Sequence, residues 1–203
     1  MTQMRITLGD TPSLDSAAPQ GYRLTERSRV IGTGSAVFDR ARDAIWSWQI
    51  QRGSRFIAVE VPQSVRVGAV SRFRIRFGPL RPLVTCRVFA VVNQVRRAGF
   101  AHEAIRGHPQ SGWESFIVEQ DADGRVTLRI RVVARPAAWW MRAAGPLGQL
   151  ALEILLRRNL RALDGTLGAS SPPASPRAPA TSHSRAASRS RVSSGVRARR
   201  ARH

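Results

Sequence analysis

The chain of 203 residues contains no lysine: all 33 of its basic residues are arginine, set against 13 acids, for a formal charge of +20. Arginine without lysine, alongside abundant Ala, Gly, Pro and Val, carries the imprint of GC-rich coding, so the charge is only in part a sign of selection for binding. Cys86 is the only cysteine, which excludes an intrachain disulfide and implies no oxidising compartment. No run of 18 apolar residues exists, so no membrane span is expected. The opening MTQMRITLGDTPSLDS lacks the apolar core of a signal peptide, and the expectation is a cytoplasmic protein. After Leu167 there are no aromatics, and Val192 and Val196 are the only large aliphatics. That stretch cannot bury enough apolar surface to offset its ordering entropy.

These absences divide the chain into a loose lead-in over 1–20, one folded domain over 21–165, and a disordered Arg/Ser/Ala/Pro-rich tail over 166–203. The tail holds eight arginines and no acid, which leaves 25 arginines against 13 acids, a charge of +12, in the body. Loose, non-specific association of the tail with nucleic acid follows from such a charge. Specific recognition is not expected, since there is no C2H2 spacing, no aromatic RNA-binding strand and no helix-turn-helix pattern.

Periodicity then supplies the order of elements. Tyr22 to Ile31 reads as a strand, and IGTGS breaks it, with Thr33 or Ser35 expected to cap the next helix. From Ser35 to Gln51 the spacing of Val37, Ala41, Ile45 and Trp48 predicts a helix that stops at Gly53. The period changes to two in 55–61 and again in 65–77, where Arg72, Arg74 and Arg76 alternate with Phe73, Ile75 and Phe77. Residues 83–104 hold two strands around a turn near Arg97 to Gly99, and 113–121, DADG and 125–135 form a hairpin. A long helix begins at Pro136 and ends near Leu163, with Gly145-Pro146 kinking or splitting it. The class is α+β: a curved antiparallel sheet of about seven strands on a long C-terminal helix, with one shorter helix after the first strand. That is the order of the helix-grip fold, an architecture that often leaves a cavity between sheet and helix.

GFAHEAIRGHPQSGWESF (99–116) is the stretch densest in reactive side chains. His102 and Glu103 are neighbours, so on a strand they face opposite ways and at most one joins a common site. Neither their spacing to His108 nor the surrounding residues match a metal site, so no metal and no cofactor is expected. There is no G-x-S-x-G elbow for a nucleophilic serine. His108-Pro109 is read as shaping an exposed loop, and Glu114 as answering a nearby arginine. Cys86, in an apolar strand, reads as a buried small hydrophobe.

GTGSAVFDRARDAIWSW, RVFAVV, the stretch 99–116 and VVARPAAWWMRAAGPLGQLALEILLRRNLRAL together resemble Uncharacterised Protein Family 0548 over residues 21–163. Gly99, Phe100, Ala101, Gly107, His108, Pro109, Gly112, Glu114 and Phe116 carry the most specific block of the resemblance. Gly32, Gly34, Phe38, Ala41 and Trp48 match an earlier motif, and Arg135 and Pro136 a later one. His102, Glu103 and Ala104 stand where the family has Tyr-Gly-Thr, and Trp113-Glu114 where it has paired glutamates. The resemblance implies a helix-grip-like domain, similar to START-like and birch-pollen-allergen-like proteins, and brings no activity with it.

The leading expectation is a non-enzymatic binding domain that holds a small apolar or amphipathic ligand. Its site is expected at Phe100, His102, His108, Trp113, Glu114 and Arg135, with Trp139 and Trp140 at the mouth. A filled core of Phe73, Phe89, Phe116 and Leu150 would contradict it. The alternative is a hydrolase or lyase of small molecules in which His108 and Glu114 act as acid and base and Arg135 anchors the substrate.

Overall fold

The computed structural model describes residues 13–168, except Phe77, Arg106 and Ala144 and the side chain of Trp140. Of the expected disordered tail over 166–203, residues 166–168 instead belong to a short helix, and the rest, like the first twelve residues, lies outside the described residues.

Seven strands form one antiparallel sheet: β1 (Arg23–Thr33), β2 (Ile57–Glu60), β3 (Val70–Arg74), β4 (Leu83–Gln94), β5 (Arg97–Ala104), β6 (Gln110–Gln120) and β7 (Arg125–Pro136). Their order is β1-β7-β6-β5-β4-β3-β2, so the first strand closes onto the last. Helices α1 (Ser35–Trp46) and α2 (Gln49–Gly53) follow β1, and α3 (Trp139–Ala143), α4 (Gly145–Arg161) and α5 (Asp164–Gly168) follow β7. This is the helix-grip architecture. No helix among the described residues is long and apolar enough to cross a membrane.

The expected helix over 35–51 is two helices. Trp48 adopts the left-handed conformation between them, at φ 60° and ψ 25°. An L-residue there costs about 1–2 kcal/mol, and burial offsets it. The Trp48 indole is fully buried, 5.5 Å from the Phe100 ring and 6.2 Å from the Phe73 ring. The expected cap at Thr33 or Ser35 is not made. Gly34 takes the N-cap position with φ 89°, no side chain caps the helix, and the Gly34 N–H donates to Gly124 O at 2.7 Å.

The hairpin turn between β4 and β5 falls at Val95-Arg96, ahead of its expected place. Gly99 is inside β5, and its lack of a side chain serves close approach. A Cβ there would lie 2.5 Å from Phe116 O. The alternating arginine strand is shorter than expected, though its faces are as read: Phe73 and Ile75 are buried, Arg74 and Arg76 exposed.

One face of the sheet packs on the helices through Phe38, Ile45, Trp48, Phe100, Phe116 and Leu128. On the opposite face Ala101 and Ile117 pack with Leu14, against which Phe89, Ala90 and Val92 lie. Leu14 belongs to the lead-in expected to be loose. Its carbonyl accepts from Arg131 Nη1 at 2.8 Å and Ser115 Oγ at 2.9 Å, and Asp15 pairs with Arg97 and Arg129. Residues 13–16 are therefore docked on the sheet.

The C-terminal helical run breaks at Gly145, which has φ 46°, and Pro146 sits in the first turn of α4, where its missing N–H costs nothing. The far end of α4 is the tightly packed end. Leu156 and Asn159 are buried, and a Cβ on Gly53 would lie 2.2 Å from Ala162 O. Toward its start Leu147 and Leu150 are exposed, contrary to the core role considered for Leu150. Of the other three residues of that filled core, Phe73 and Phe116 are buried and Phe89 lies on the opposite face. The centre of the interface is thus solid, whereas the start of α4 borders open space.

Candidate functional site

The strand alternation of β5 turns Phe100, His102 and Ala104 to the helix face, and that of β6 turns Glu114 and Phe116 the same way. His102 and Glu114 are register partners across the β5–β6 ladder. His102 Nε2 lies 3.5 Å from Glu114 Oε2. The imidazole is edge-on to the rings of Phe100 and Phe116, each 5.6 Å away, which holds its orientation. The other carboxylate oxygen, Oε1, accepts from Asn159 Nδ2 at 3.4 Å, and Asn159 Oδ1 accepts from Ser54 Oγ at 2.6 Å. A polar chain therefore runs Ser54–Asn159–Glu114–His102 from the end of α2 through α4 into the sheet. Glu114 answers this histidine and amide, not the arginine expected of it. Glu103 faces the other way and pairs with Arg87 at 3.8 Å.

His102 and Glu114 border a cavity of about 50 Å³ together with Cys86, His108, Trp113 and Val132. His108 is not the exposed loop residue expected: its ring is half-buried, with Nδ1 3.0 Å from the Gln110 backbone N and 2.9 Å from its carbonyl oxygen. Burial pulls its pKa from 6.5 down to about 4, assisted by the nearby His102 and opposed by the Gln110 carbonyl. It is therefore a neutral imidazole near pH 7. The Cys86 thiol is pushed well above its ordinary value by burial and then by the carboxylates of Glu114 and Glu103, which makes it a poor nucleophile.

Gln110, Val132 and Ala134 are shared between this cavity and a second one of about 210 Å³, which lies between β1, β7 and the start of α4. Arg135 lines the second cavity, with its guanidinium 4.8 Å above the Tyr22 ring.

The residues expected at the site are thus distributed. His102, His108, Trp113 and Glu114 meet at the inner cavity. Arg135 belongs to the outer one, Phe100 is fully buried beneath His102, and Trp139 is 73% exposed. The Trp140 side chain lies outside the described residues. Ser54, Asn159 and Gln110 escaped the sequence reading. Asn159 left a signal, since it stands three residues after Leu156 and four before Leu163 on the helix face turned to the sheet. Among the described residues no three His, Cys, Asp or Glu side chains gather as a metal ion would require.

Fold and site together define a helix-grip domain with a small cavity bordered by His102, His108 and Glu114 on the sheet and a second one between the sheet and the start of α4. The chain belongs to the family described as a domain of unknown function (DUF1990), which matches residues 7–162. It is 31% identical over 149 residues to a UPF0548 protein of Deinococcus radiodurans, a match covering 66% of this chain and 73% of that one. Among solved structures it is similar to a hypothetical protein of Helicobacter pylori, with TM-score 0.50, 14% identity, and 72% and 86% of the two chains covered. A Streptomyces aromatase/cyclase gives TM-score 0.49 at 18% identity over 72% and 94%.

Proposed function

We propose that the protein binds a small amphipathic ligand between the sheet and the start of α4, with a polar atom of the ligand at the His102–Glu114 end. The observation that carries this reading is the pair itself, a buried histidine against a half-buried glutamate. Two ionisable side chains are turned toward the helix layer, where apolar residues would pack better, and they border a cavity continuous in its walls with a larger one. The volumes lie below the roughly 300–1,000 Å³ of pockets for drug-sized ligands, so the ligand is small.

The apolar part of such a ligand would lie along Val132, Ala134, Leu152 and Met141, and a hydroxyl or carbonyl would meet His102 or Glu114. The enzymatic alternative draws on His108 and Glu114 alone, because Arg135 is engaged with Tyr22 in the outer cavity. Association of the arginine-rich stretch beyond residue 168 with nucleic acid is a separate proposal, resting on composition. Native mass spectrometry of the freshly purified full chain tests the ligand reading. A co-purifying small molecule, lost in His102→Ala and Glu114→Ala variants, is the expected result. A bare protein mass, with no small molecule recovered on soaking in cell extract, would remove it.

A further inference from the structure

The larger cavity continues outward. It shares Arg23, Thr25, Gln149 and Leu152 with a groove of about 430 Å³ that runs between β1 and α4. Arg23, Arg27, Arg135, Arg142 and Arg157 line these two spaces, and among the described residues Glu153 is the one carboxylate that lines them. Glu153 is shared by Arg27 at 3.1 Å and Arg157 at 3.2 Å, and Arg135 covers the Tyr22 ring. That leaves Arg23 and Arg142, for which the described residues supply neither an ion pair nor a side-chain hydrogen bond. Both line the same cavity, and both are exposed.

We infer that the mouth of this cleft takes an anionic head, a carboxylate or a phosphate, between Arg23 and Arg142. The inference rests on the proposed binding of an amphipathic ligand and adds the chemical class of its outer end. A guanidinium presents a planar fork of donors that matches the oxygens of either anion. The apolar wall of Val132, Ala134, Leu152 and Met141 lowers the local dielectric and strengthens that attraction. A cationic head would face repulsion at the mouth. The inner end carries the Glu114 carboxylate, so an anion is disfavoured there and the ligand is oriented head outward. The apolar stem then points toward the inner cavity, whose polar floor suits a neutral hydroxyl or carbonyl.

The same chemistry could be offered by a free short-chain acid or by the head of a membrane lipid, and the test separates them. Isothermal titration of the full chain compares octanoate with 1-octanol, both monomeric. Flotation compares vesicles of phosphatidylglycerol with vesicles of phosphatidylcholine. The variants are the double substitution Arg23→Gln/Arg142→Gln, its Lys/Lys counterpart that keeps the charge, and Arg27→Gln as a control outside the proposed contact. We expect octanoate to bind at least about tenfold more tightly than octanol. The Gln pair should abolish the preference, the Lys pair should retain most of it, and Arg27→Gln should leave it unchanged. Phosphatidylglycerol flotation that the Gln pair abolishes, without octanoate binding, would assign the head to a lipid surface. Octanol binding as tightly as octanoate would overturn the anionic mouth and leave the cleft reading standing. So would a preference that survives the Gln pair. Failure of both alcohol and acid to bind, with no flotation, would overturn both.

Discussion

Glu114 stands opposite His102 across the β5–β6 ladder and gives each of its oxygens to a different element: Oε2 to the imidazole at 3.5 Å, Oε1 to Asn159 of α4 at 3.4 Å. One carboxylate thus ties the sheet to the C-terminal helix. Glu114→Ala leaves polar atoms of both partners buried without it and should destabilise the protein by about 1–3 kcal/mol. Glu114→Gln keeps the shape and an acceptor and should cost less than about 1 kcal/mol. Urea midpoints measure both. Equal losses would mean that the charge, and not the hydrogen-bonded bridge, is what matters.

His108 makes stability depend on pH in a particular window. In the unfolded chain its imidazole takes a proton near pH 6.5, whereas in the folded protein burial delays this to about pH 4. The unfolded state therefore binds more protons between these values. Its contribution is fully present above pH 6.5 and is lost as pH falls toward 4, at a slope of up to about 1.4 kcal/mol per unit. His108→Asn should flatten the curve of unfolding free energy against pH in that window. Parallel curves for the two proteins would show that the folded state protonates His108 freely.

Two glycines near the site have opposite vulnerabilities. Gly112 has φ 136°, and a Cβ would sit 1.9 Å from Val133 O across the β6–β7 ladder, so backbone would have to move. Gly112→Ala should cost about 3 kcal/mol or more and disrupt the floor of the site. Gly107 has φ 90° with nothing within 4 Å of such a Cβ. Gly107→Ala should then cost only about 1 kcal/mol of conformational strain. Thermal unfolding of the pair gives the comparison, and a Gly107 variant as damaged as the Gly112 one would contradict it.

The docked segment before β1 is held by the Leu14 side chain and by its carbonyl, which accepts from Arg131 and Ser115. Leu14→Ala should cost about 2–3 kcal/mol through lost burial. Asp15 adds to the docking: burial opposes its ionisation, but the hydrogen bonds and charges of Arg97 and Arg129 outweigh that and lower its pKa. Its contribution is present above about pH 4 and is lost below. Asp15→Asn should therefore weaken the protein more at pH 7 than at pH 3. Equal effects at the two pH values would show that the charge is not used.

Cys86 should be nearly inert in the folded protein. It is buried, and burial together with two carboxylates disfavours its thiolate. Ellman's reagent should react only in denaturant, at a rate that follows unfolding. Rapid reaction of the native chain at neutral pH would show that the inner cavity opens to reagents.

The alternation of 113–121 and 125–135 and the turn at 121–124 were legible as a hairpin, because each strand has one buried face and the period of two is written in its residues. The break at Gly145-Pro146 was equally plain, since neither residue suits a helix interior. The turn at Val95-Arg96 was not. Gly99 looked like punctuation, and its true constraint is the Phe116 carbonyl, seventeen residues away in sequence and in contact in space. Trp48 misled for a related reason: its left-handed backbone is stabilised by contacts with Phe73 and Phe100, which no local window contains.

The site divides along the same line. Residues 99–116 announced a concentration of polar side chains, and strand periodicity alone required His102 and Glu103 to part. The sequence by itself also determined the element order, the excess of arginine over acid, and the fold class that comes from packing one antiparallel sheet on a terminal helix. Which groups meet was decided only by the tertiary structure. Sheet register sets Glu114 beside His102, α4 delivers Asn159 from 45 residues further along the chain, and β1 closing on β7 brings Arg23 to the same cleft as Arg142. Periodicity tells which way a side chain faces. Pairing across non-neighbouring strands, and the pinning of α4 at one end only, determine what it faces.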